Sequence, residues 1–248
     1  MKQNIYDNKD FYQEYDKMRK ENKGYNANDL IEIPNFRSLV PNVENKKILD
    51  LGCGYGENCK YYKELGASKV LGIDLSKHMI DVANEYNKLD NIEYKVIPME
   101  NIEKIEEKFD IVLSSLAFHY IKDFKKLIKD IYNLLIPGGY LIFSQEHPLV
   151  TSTILSENIK SNHQIIDDKW YLLLSDYNRV GLRKKEWNNQ LVEKYHRNFS
   201  EIINTLIEVG FVIDTILEPT PDKEAIEKVP KYIYQYDRPY FLFVKVHK

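Results

Sequence analysis

The chain has 248 residues, more than the roughly 100–150 of the commonest single domain but within reach of one elaborated α/β core. A charged fraction of 29% and a net charge of -3 provide no basic excess for gripping nucleic-acid phosphates. The start, Met1 to Asp7, has no apolar signal-like run, no stretch is apolar enough to span a bilayer, and Cys53 and Cys59 are too few for a disulfide framework or a zinc site. A soluble cytoplasmic protein, monomer or homodimer, is expected, with no metal and neither nucleic acid nor membrane as partner.

Residues 1–45 are a polar, Tyr-rich leader in which Phe11-Tyr12 and Tyr15 to Arg19 have helical spacing, suiting a lid or an ordinary packing helix. From Lys46 onward, apolar runs alternate with amphipathic stretches, the pattern of repeated β-α units and a mainly parallel sheet. Strands are expected at Lys47–Leu51, Lys69–Asp74, Ile92–Ile97, Phe109–Ser114 and Tyr140–Gln145. The fourth carries Ile111-Val112-Leu113, as a strand buried on both faces should. Helices are expected over about 56–65, 77–87 and 123–135. Gly66 suits the left-handed position after the first, Ser76 the N-cap of the second, and Pro137-Gly138-Gly139 ends the third and turns the chain. Regularity lapses from His147 to Asn198, an insertion with strands expected near Trp170–Leu174 and Gln190–Tyr195. It returns with a helix over 200–209 ending at Gly210, a strand Phe211–Leu217, and a final run Tyr240–Val246 beside that strand.

Within this pattern the run Ile48–Gly56 is the most informative, because Gly52, Gly54 and Gly56 fall where an apolar strand should turn into a helix. Glycine adopts φ > 0 readily and lets backbone N–H groups approach a ligand, while the helix starting near Glu57 points its positive end into the same space. A dinucleotide fingerprint would need glycine at Glu57, and a P-loop would need Lys-Ser or Lys-Thr where Glu57-Asn58 stands. Asp50, ahead of the loop, repels pyrophosphate but welcomes an ammonium group. Asp74 ends the second strand where an acid accepts ribose hydroxyls, its alternative role being an N-terminal acid for the next helix. Ribose plus ammonium suggests S-adenosylmethionine.

Together Ile48–Gly56, Gly72-Ile73-Asp74-Leu75-Ser76, Phe109–Asp123 and Leu135-Ile136-Pro137-Gly138-Gly139-Tyr140 resemble the ordered motifs of class I S-adenosylmethionine-dependent methyltransferases. The resemblance covers roughly Lys46 to Gln145; Trp187, Tyr195-His196-Arg197 and Gly210-Phe211 further resemble a bacterial small-molecule branch. It implies an α/β, Rossmann-like fold, with a seven-stranded, mostly parallel sheet, an antiparallel last strand, helices on both faces and a substrate-side insertion. The corresponding layout is a helical lid segment over 1–45, one core made of 46–146 and 199–248, and the insertion over 147–198.

Carried over by position, Asp50 would face the methionine amino group and Gly52, Cys53, Gly54 and Gly56 would approach the cofactor with their backbone. Asp74 would hold the ribose, with Leu75, Ser76 and Met79 around it. Many members place an adenine-binding Asp where this chain has Pro98, which leaves Met99, through its N–H, and Glu100 to meet that end of the cofactor. Ser114, Ser115 and Leu116 would border it from the end of the fourth strand. S-adenosylhomocysteine is the implied product.

Three histidines are the catalytic candidates: His119, His147 and His196. Imidazole titrates near neutral pH, so His119 could take a proton from a nucleophile, or could simply pack at a helix start. His147 and Glu146 end the fifth strand on the same edge and could meet substrate, or His147 could satisfy backbone groups before the proline-restricted turn. Tyr195, His196 and Arg197, with Arg183 and Trp187, suit an anionic or planar substrate, the alternative being loop anchors. Tyr15 and Arg19 would complete the pocket from the lid. The expected activity is methyl transfer to an O or N atom of a small molecule by in-line displacement. A cofactor-binding module without catalysis and a methyltransferase acting on a macromolecule are the alternatives. Against a nucleic-acid substrate stands Ser114-Ser115-Leu116-Ala117 in place of an Asn-Pro-Pro-Tyr type motif.

Overall fold

Capping side chains and glycines set most helix boundaries in the computed structural model, which describes residues 4–156, 161, 163–167, 169–187 and 190–248. The chain opens with α1 (Lys9–Glu21), a π-helical turn Asn28–Glu32, and α2 (Ile33–Leu39). Then follow β1 (Lys47–Leu51), α3 (Glu57–Glu64), β2 (Lys69–Asp74), α4 (Lys77–Tyr86), β3 (Ile92–Val96), β4 (Phe109–Ser114), α5 (Phe124–Leu134) and β5 (Leu135–Glu146). Ser76 caps α4 by accepting from the Met79 N–H, and Asp123 caps α5 by accepting from Lys126. Gly66 takes φ 95° after α3, where any side chain would be strained.

Beyond β5 come α6 (Pro148–Thr151), β6 (His163–Ile166), β7 (Lys169–Leu172), β8 (Gly181–Trp187), β9 (Gln190–His196), α7 (Phe199–Val209), β10 (Val212–Leu217), α8 (Lys223–Lys228) and β11 (Phe241–His247). The insertion thus carries two antiparallel hairpins, β6–β7 and β8–β9. The sequence pattern pointed to the second strand of each and missed the first. Both strands of β6–β7 are largely exposed, so no apolar alternation marks them.

The main sheet has seven strands in the order β10-β11-β5-β4-β1-β2-β3, parallel except for β11, which runs antiparallel to both neighbours. One face packs on α5 and α7 through Leu49, Val112, Phe143, Ile128 and Leu206; the other packs on α2, α3, α4 and α8 through Ile48, Val70, Phe36, Tyr62 and Ile80. No described helix is long and apolar enough to cross a membrane.

One expectation fails at Pro137-Gly138-Gly139, which does not break the chain before the fifth strand. The three residues lie inside β5 as an irregularity: Phe109 pairs with Leu135 and Ile111 with Tyr140. Gly138 and Gly139 find partners elsewhere, exchanging backbone hydrogen bonds with Lys248 at 3.0 and 2.9 Å. A bulge satisfies backbone groups as a turn would, and sequence punctuation alone does not separate the two.

Because β4 and β2 flank β1 on opposite sides, the strand order reverses direction there, and the carboxyl ends of β1, β2, β4 and β5 open onto one edge. Asp50, Asp74, Ser114 and Glu146 all sit at that edge.

Candidate active site

The glycine loop folds over the end of β2: the N–H groups of Gly52 and Cys53 both donate to the Ile73 carbonyl, at 2.8 and 2.9 Å. Gly52, Gly54 and Gly56 all have positive φ, and a Cβ on Gly52 would come within 2.8 Å of Ala117 Cβ and 3.1 Å of Met99 Cε. The Asp74 carboxylate accepts from Gly54 N–H at 3.0 Å with one oxygen and from Ser76 N–H at 2.8 Å with the other. It therefore ties the loop to the start of α4.

Asp50 is 2% exposed and accepts a hydrogen bond from the Cys59 thiol at 3.3 Å. Burial pushes its carboxyl up to about 7 against that thiol bond, and the acids Asp74 and Glu32 add to the rise. No cation acts on it among the described residues.

Glu32, which the sequence reading did not single out, is buried at the end of the π-helical turn. It accepts from Ser115 Oγ at 2.8 Å and from Ser144 Oγ at 2.5 Å, and Ser144 Oγ in turn accepts from the Leu116 N–H at 3.0 Å. This network fixes the chain just beyond β4, where Leu116 has a φ of 52°. Ser114 Oγ donates to the Leu51 carbonyl at 2.9 Å. The side chains of Ser114 and Ser115 are thus spent on structure, which leaves backbone as their means of meeting a ligand. Met79 is buried in the first turn of α4, and Glu100 follows Met99 in a 3-10 turn whose Glu100 carbonyl accepts from Lys126.

The leader crosses this edge as a strap. Asp7 accepts from Ser76 Oγ at 2.5 Å and from the His78 N–H at 3.2 Å, the Asn4 amide donates to the Leu75 carbonyl, and Tyr55 donates to Asp16. Arg19 pairs with Glu57 at 2.6 Å and reaches the Tyr15 hydroxyl at 3.5 Å. Arg19 therefore latches the strap to the start of α3. Within it, the partly buried Tyr6 hydrogen-bonds Tyr120 through its phenol and has Tyr15 and Asp74 nearby.

Beside Tyr120 lies a second buried polar group. His119 is 4% exposed, its Nδ1 lacks a hydrogen-bond partner among the described residues, and burial pushes its imidazole down to about 3. Glu146 pairs with Lys194 at 2.7 Å. Burial favours the neutral acid, but Lys194 and then His119 outweigh it and hold Glu146 down at about 2. Lys194 in turn is held protonated by Glu146 despite its burial. The sequence could not indicate Lys194, one lysine among many until β9 carries it to the end of β5.

The other expected site residues are spoken for. His147 Nδ1 accepts from the Leu149 N–H at 3.1 Å as the N-cap of α6, and its Nε2 contacts Glu218 at 2.7 Å. His196 Nδ1 bonds Thr151 Oγ1 and its Nε2 donates to the Tyr177 carbonyl, both at 2.8 Å, so neither nitrogen is open to a substrate. Arg183 donates to the carbonyls of Ser152, Asp176 and Arg179. Arg197 donates to the carbonyls of Ile121 and Lys122 and stacks on Phe124, while Tyr195 gives its carbonyl to Arg197. These are the anchor roles, holding the insertion to the core. The side chain of Trp187 lies outside the described residues.

Residues 49–143 match the family model described as a methyltransferase domain. The chain is 36% identical to an uncharacterized protein of Haemophilus influenzae, over 98% of this chain and 96% of that one. It is also 36% identical to a ubiquinone biosynthesis O-methyltransferase of Acinetobacter baylyi, over 41% of this chain and 44% of the relative. An S-adenosylmethionine-dependent methyltransferase structure from Mesorhizobium loti superposes with a TM-score of 0.80 at 33% identity, covering 88% of this chain and 97% of the other. With that likeness covering 88% of its length at 33% identity, the chain belongs to the class I S-adenosylmethionine-dependent methyltransferases.

Proposed function

We propose that this enzyme transfers the methyl group of S-adenosylmethionine to an O or N atom of a small molecule by in-line displacement. The observation that carries the acceptor class is enclosure: beside the cofactor edge His119 is buried, Tyr120, Glu146 and Lys194 are partly buried, and Tyr6 of the strap forms a roof through its hydrogen bond to Tyr120. A macromolecule would have to displace that roof to reach them.

The residues present fit the cofactor. Asp50 is a buried acid with no cation among the described residues, the environment an ammonium partner would complete. In this proposal Asp50 holds the methionine amino group, the backbone of Gly52, Cys53, Gly54 and Gly56 closes on the cofactor, and Asp74 holds the ribose beside Leu75, Ser76 and Met79. Met99 and Glu100 face the adenine end, and the backbone of Ser114, Ser115 and Leu116 borders the methionine. Bound S-adenosylmethionine supplies an electrophilic methyl on a sulfonium.

His119 meets the acceptor. Its buried, unpartnered Nδ1 accepts the hydrogen bond of the acceptor O–H or N–H and aims the lone pair on the same atom at the methyl. With so low a proton affinity His119 takes no proton from the resting acceptor. An oxygen acceptor becomes strongly acidic once it has gained the methyl, and His119 then takes its proton with Glu146 nearby to balance the imidazolium charge, whereas a methylated amine leaves as the ammonium and keeps its proton. The strap keeps water out of the way, and Tyr15 and Arg19 hold it closed. Residues 46–146 and 199–248 form the cofactor core, and the 147–198 insertion shapes the acceptor side.

Incubation with tritiated-methyl S-adenosylmethionine and a fractionated metabolite extract tests the proposal. Label is expected in a low-molecular-weight product, lost with His119→Ala. Label confined to protein or nucleic acid would overturn the small-molecule assignment.

A further inference from the structure

The segment leading into β11 holds two buried side chains with no hydrogen-bond partners. Gln235, 2% exposed, has neither its amide nitrogen nor its amide oxygen satisfied, and Arg238, 7% exposed, has Nε and Nη1 unsatisfied, among the described residues. Leaving such groups bare costs the folded state their desolvation, and the cost is larger for a charged group. They are three residues apart at the end of the 3-10 helix Pro230–Tyr236, with Asp237 still in helical conformation, so both fall on one side of that turn.

Among the described residues nothing nearby neutralises Arg238. The adjacent acid, Asp237, is directed to Lys169 at 3.6 Å. Burial lowers the proton affinity of the guanidinium, and the phenols Tyr234 and Tyr240 act to raise it. Tyr234 braces it, with the guanidinium carbon 4.6 Å from the ring centroid, and Trp170 of β7 stacks on the far part of that wall at 5.8 Å. Further positive charge converges here. His163 is pushed down to about 4 by burial and then by Arg238 and Lys185. Tyr240 links the segment to the catalytic group, because its phenol feels Glu146 and Lys194 as well as Tyr234 and Arg238. Glu146 pairs with Lys194 and does not act on Arg238.

We propose that Arg238 and Gln235 form an anion-binding arm of the acceptor pocket, receiving a carboxylate or phosphate carried by the small molecule that is methylated. The planar guanidinium fork suits either oxyanion, and the Gln235 amide adds one donor and one acceptor for a neighbouring polar group. The tyrosine and tryptophan wall favours a planar body behind the charge. The sequence reading assigned this task to Arg183 and Arg197, both of which bond backbone carbonyls. This inference rests on the small-molecule assignment above but is tested without turnover.

The full chain saturated with S-adenosylhomocysteine is titrated with benzoate and, separately, with inorganic phosphate. At least one probe is expected to saturate a single site. Arg238→Gln is expected to weaken that binding by roughly tenfold or more, the loss of one charge-assisted contact, while S-adenosylhomocysteine affinity is retained. Arg238→Lys, which keeps the charge without the fork, serves as a second variant should the first fail to fold, and is expected to lose benzoate binding more than phosphate binding. Benzoate alone binding identifies a carboxylate acceptor, phosphate alone a phosphorylated one, and both a general oxyanion arm. Failure of both probes to bind, or unchanged probe affinity in the variants, overturns the proposal. Label found only in macromolecules would overturn the function proposed above and leave this binding result standing on its own.

Discussion

Asp50→Asn separates the cost of the cofactor site from its use. The Asp50 carboxyl titrates at about 7 in the cofactor-free protein, against 3.8 in an exposed setting. A raised acid favours the fold in its neutral form, so its penalty is absent below about pH 4, grows between pH 4 and 7, and is complete above pH 7. At about 1.4 kcal/mol per tenfold in proton affinity, the ceiling on that penalty is about 4 kcal/mol. Asn keeps an oxygen for the Cys59 thiol and carries no charge. The variant should therefore melt at a higher temperature than the parent at pH 8 and at nearly the same temperature at pH 4. Cofactor binding should show the reverse. If an ammonium group seats against Asp50, binding below pH 7 expels its proton: about 0.9 proton at pH 6 and nearly none at pH 8. Parent affinity should then fall by up to about tenfold per pH unit below 7, while the Asn variant binds weakly and without this pH dependence. Calorimetry in two buffers of different ionisation enthalpy measures the released proton directly. Equal affinity at pH 6 and 8 with no proton released, or an Asn variant no more heat-resistant at pH 8, refutes the reasoning.

Asp74→Ala should weaken cofactor binding by roughly 1–3 kcal/mol through lost charge-assisted hydrogen bonds, and unchanged affinity by calorimetry would remove Asp74 from the ribose role. His119→Ala should lower kcat by about a hundredfold or more at saturating substrates. Because His119 protonates only near pH 3, kcat of the parent should show no acid limb between pH 5 and 7, whereas kcat/KM for the cofactor should fall below 7 with Asp50. An acid limb in kcat near 6.5 that disappears in His119→Ala would contradict a buried neutral imidazole.

The cofactor half was readable because its signals are local. Glycines with positive φ must follow β1, Asp74 must end β2, and Ser76 and Asp123 must cap their helices, each requirement lying within a few residues of its cause. The acceptor half was not, because its groups meet only through the topology. Lys194 reaches Glu146 across 48 residues, and Glu32 reaches Ser144 across 112. Charge also misled: Arg183, Arg197 and His196 look like ligand-binding residues in a string of letters, yet they donate to backbone carbonyls, Arg183 and His196 within the insertion and Arg197 in the loop before α5. Arg238, set between Asp237 and Pro239, carries no mark in the sequence that would set it apart, and only its burial does.

The place of β11 in the sheet bears on how the molecule is assembled. It lies between β5 and β10, so β10 joins the sheet only through it. The five strands that carry the glycine loop, Asp74 and Glu146 are all encoded by residue 146, whereas Phe241 to His247 emerge long afterwards during synthesis. The cofactor half can therefore pair early, while α7 and β10 wait with apolar faces uncovered until β11 inserts. Destabilised variants of β11 should accordingly be lost to aggregation as newly made chains, before any defect in the finished enzyme is felt.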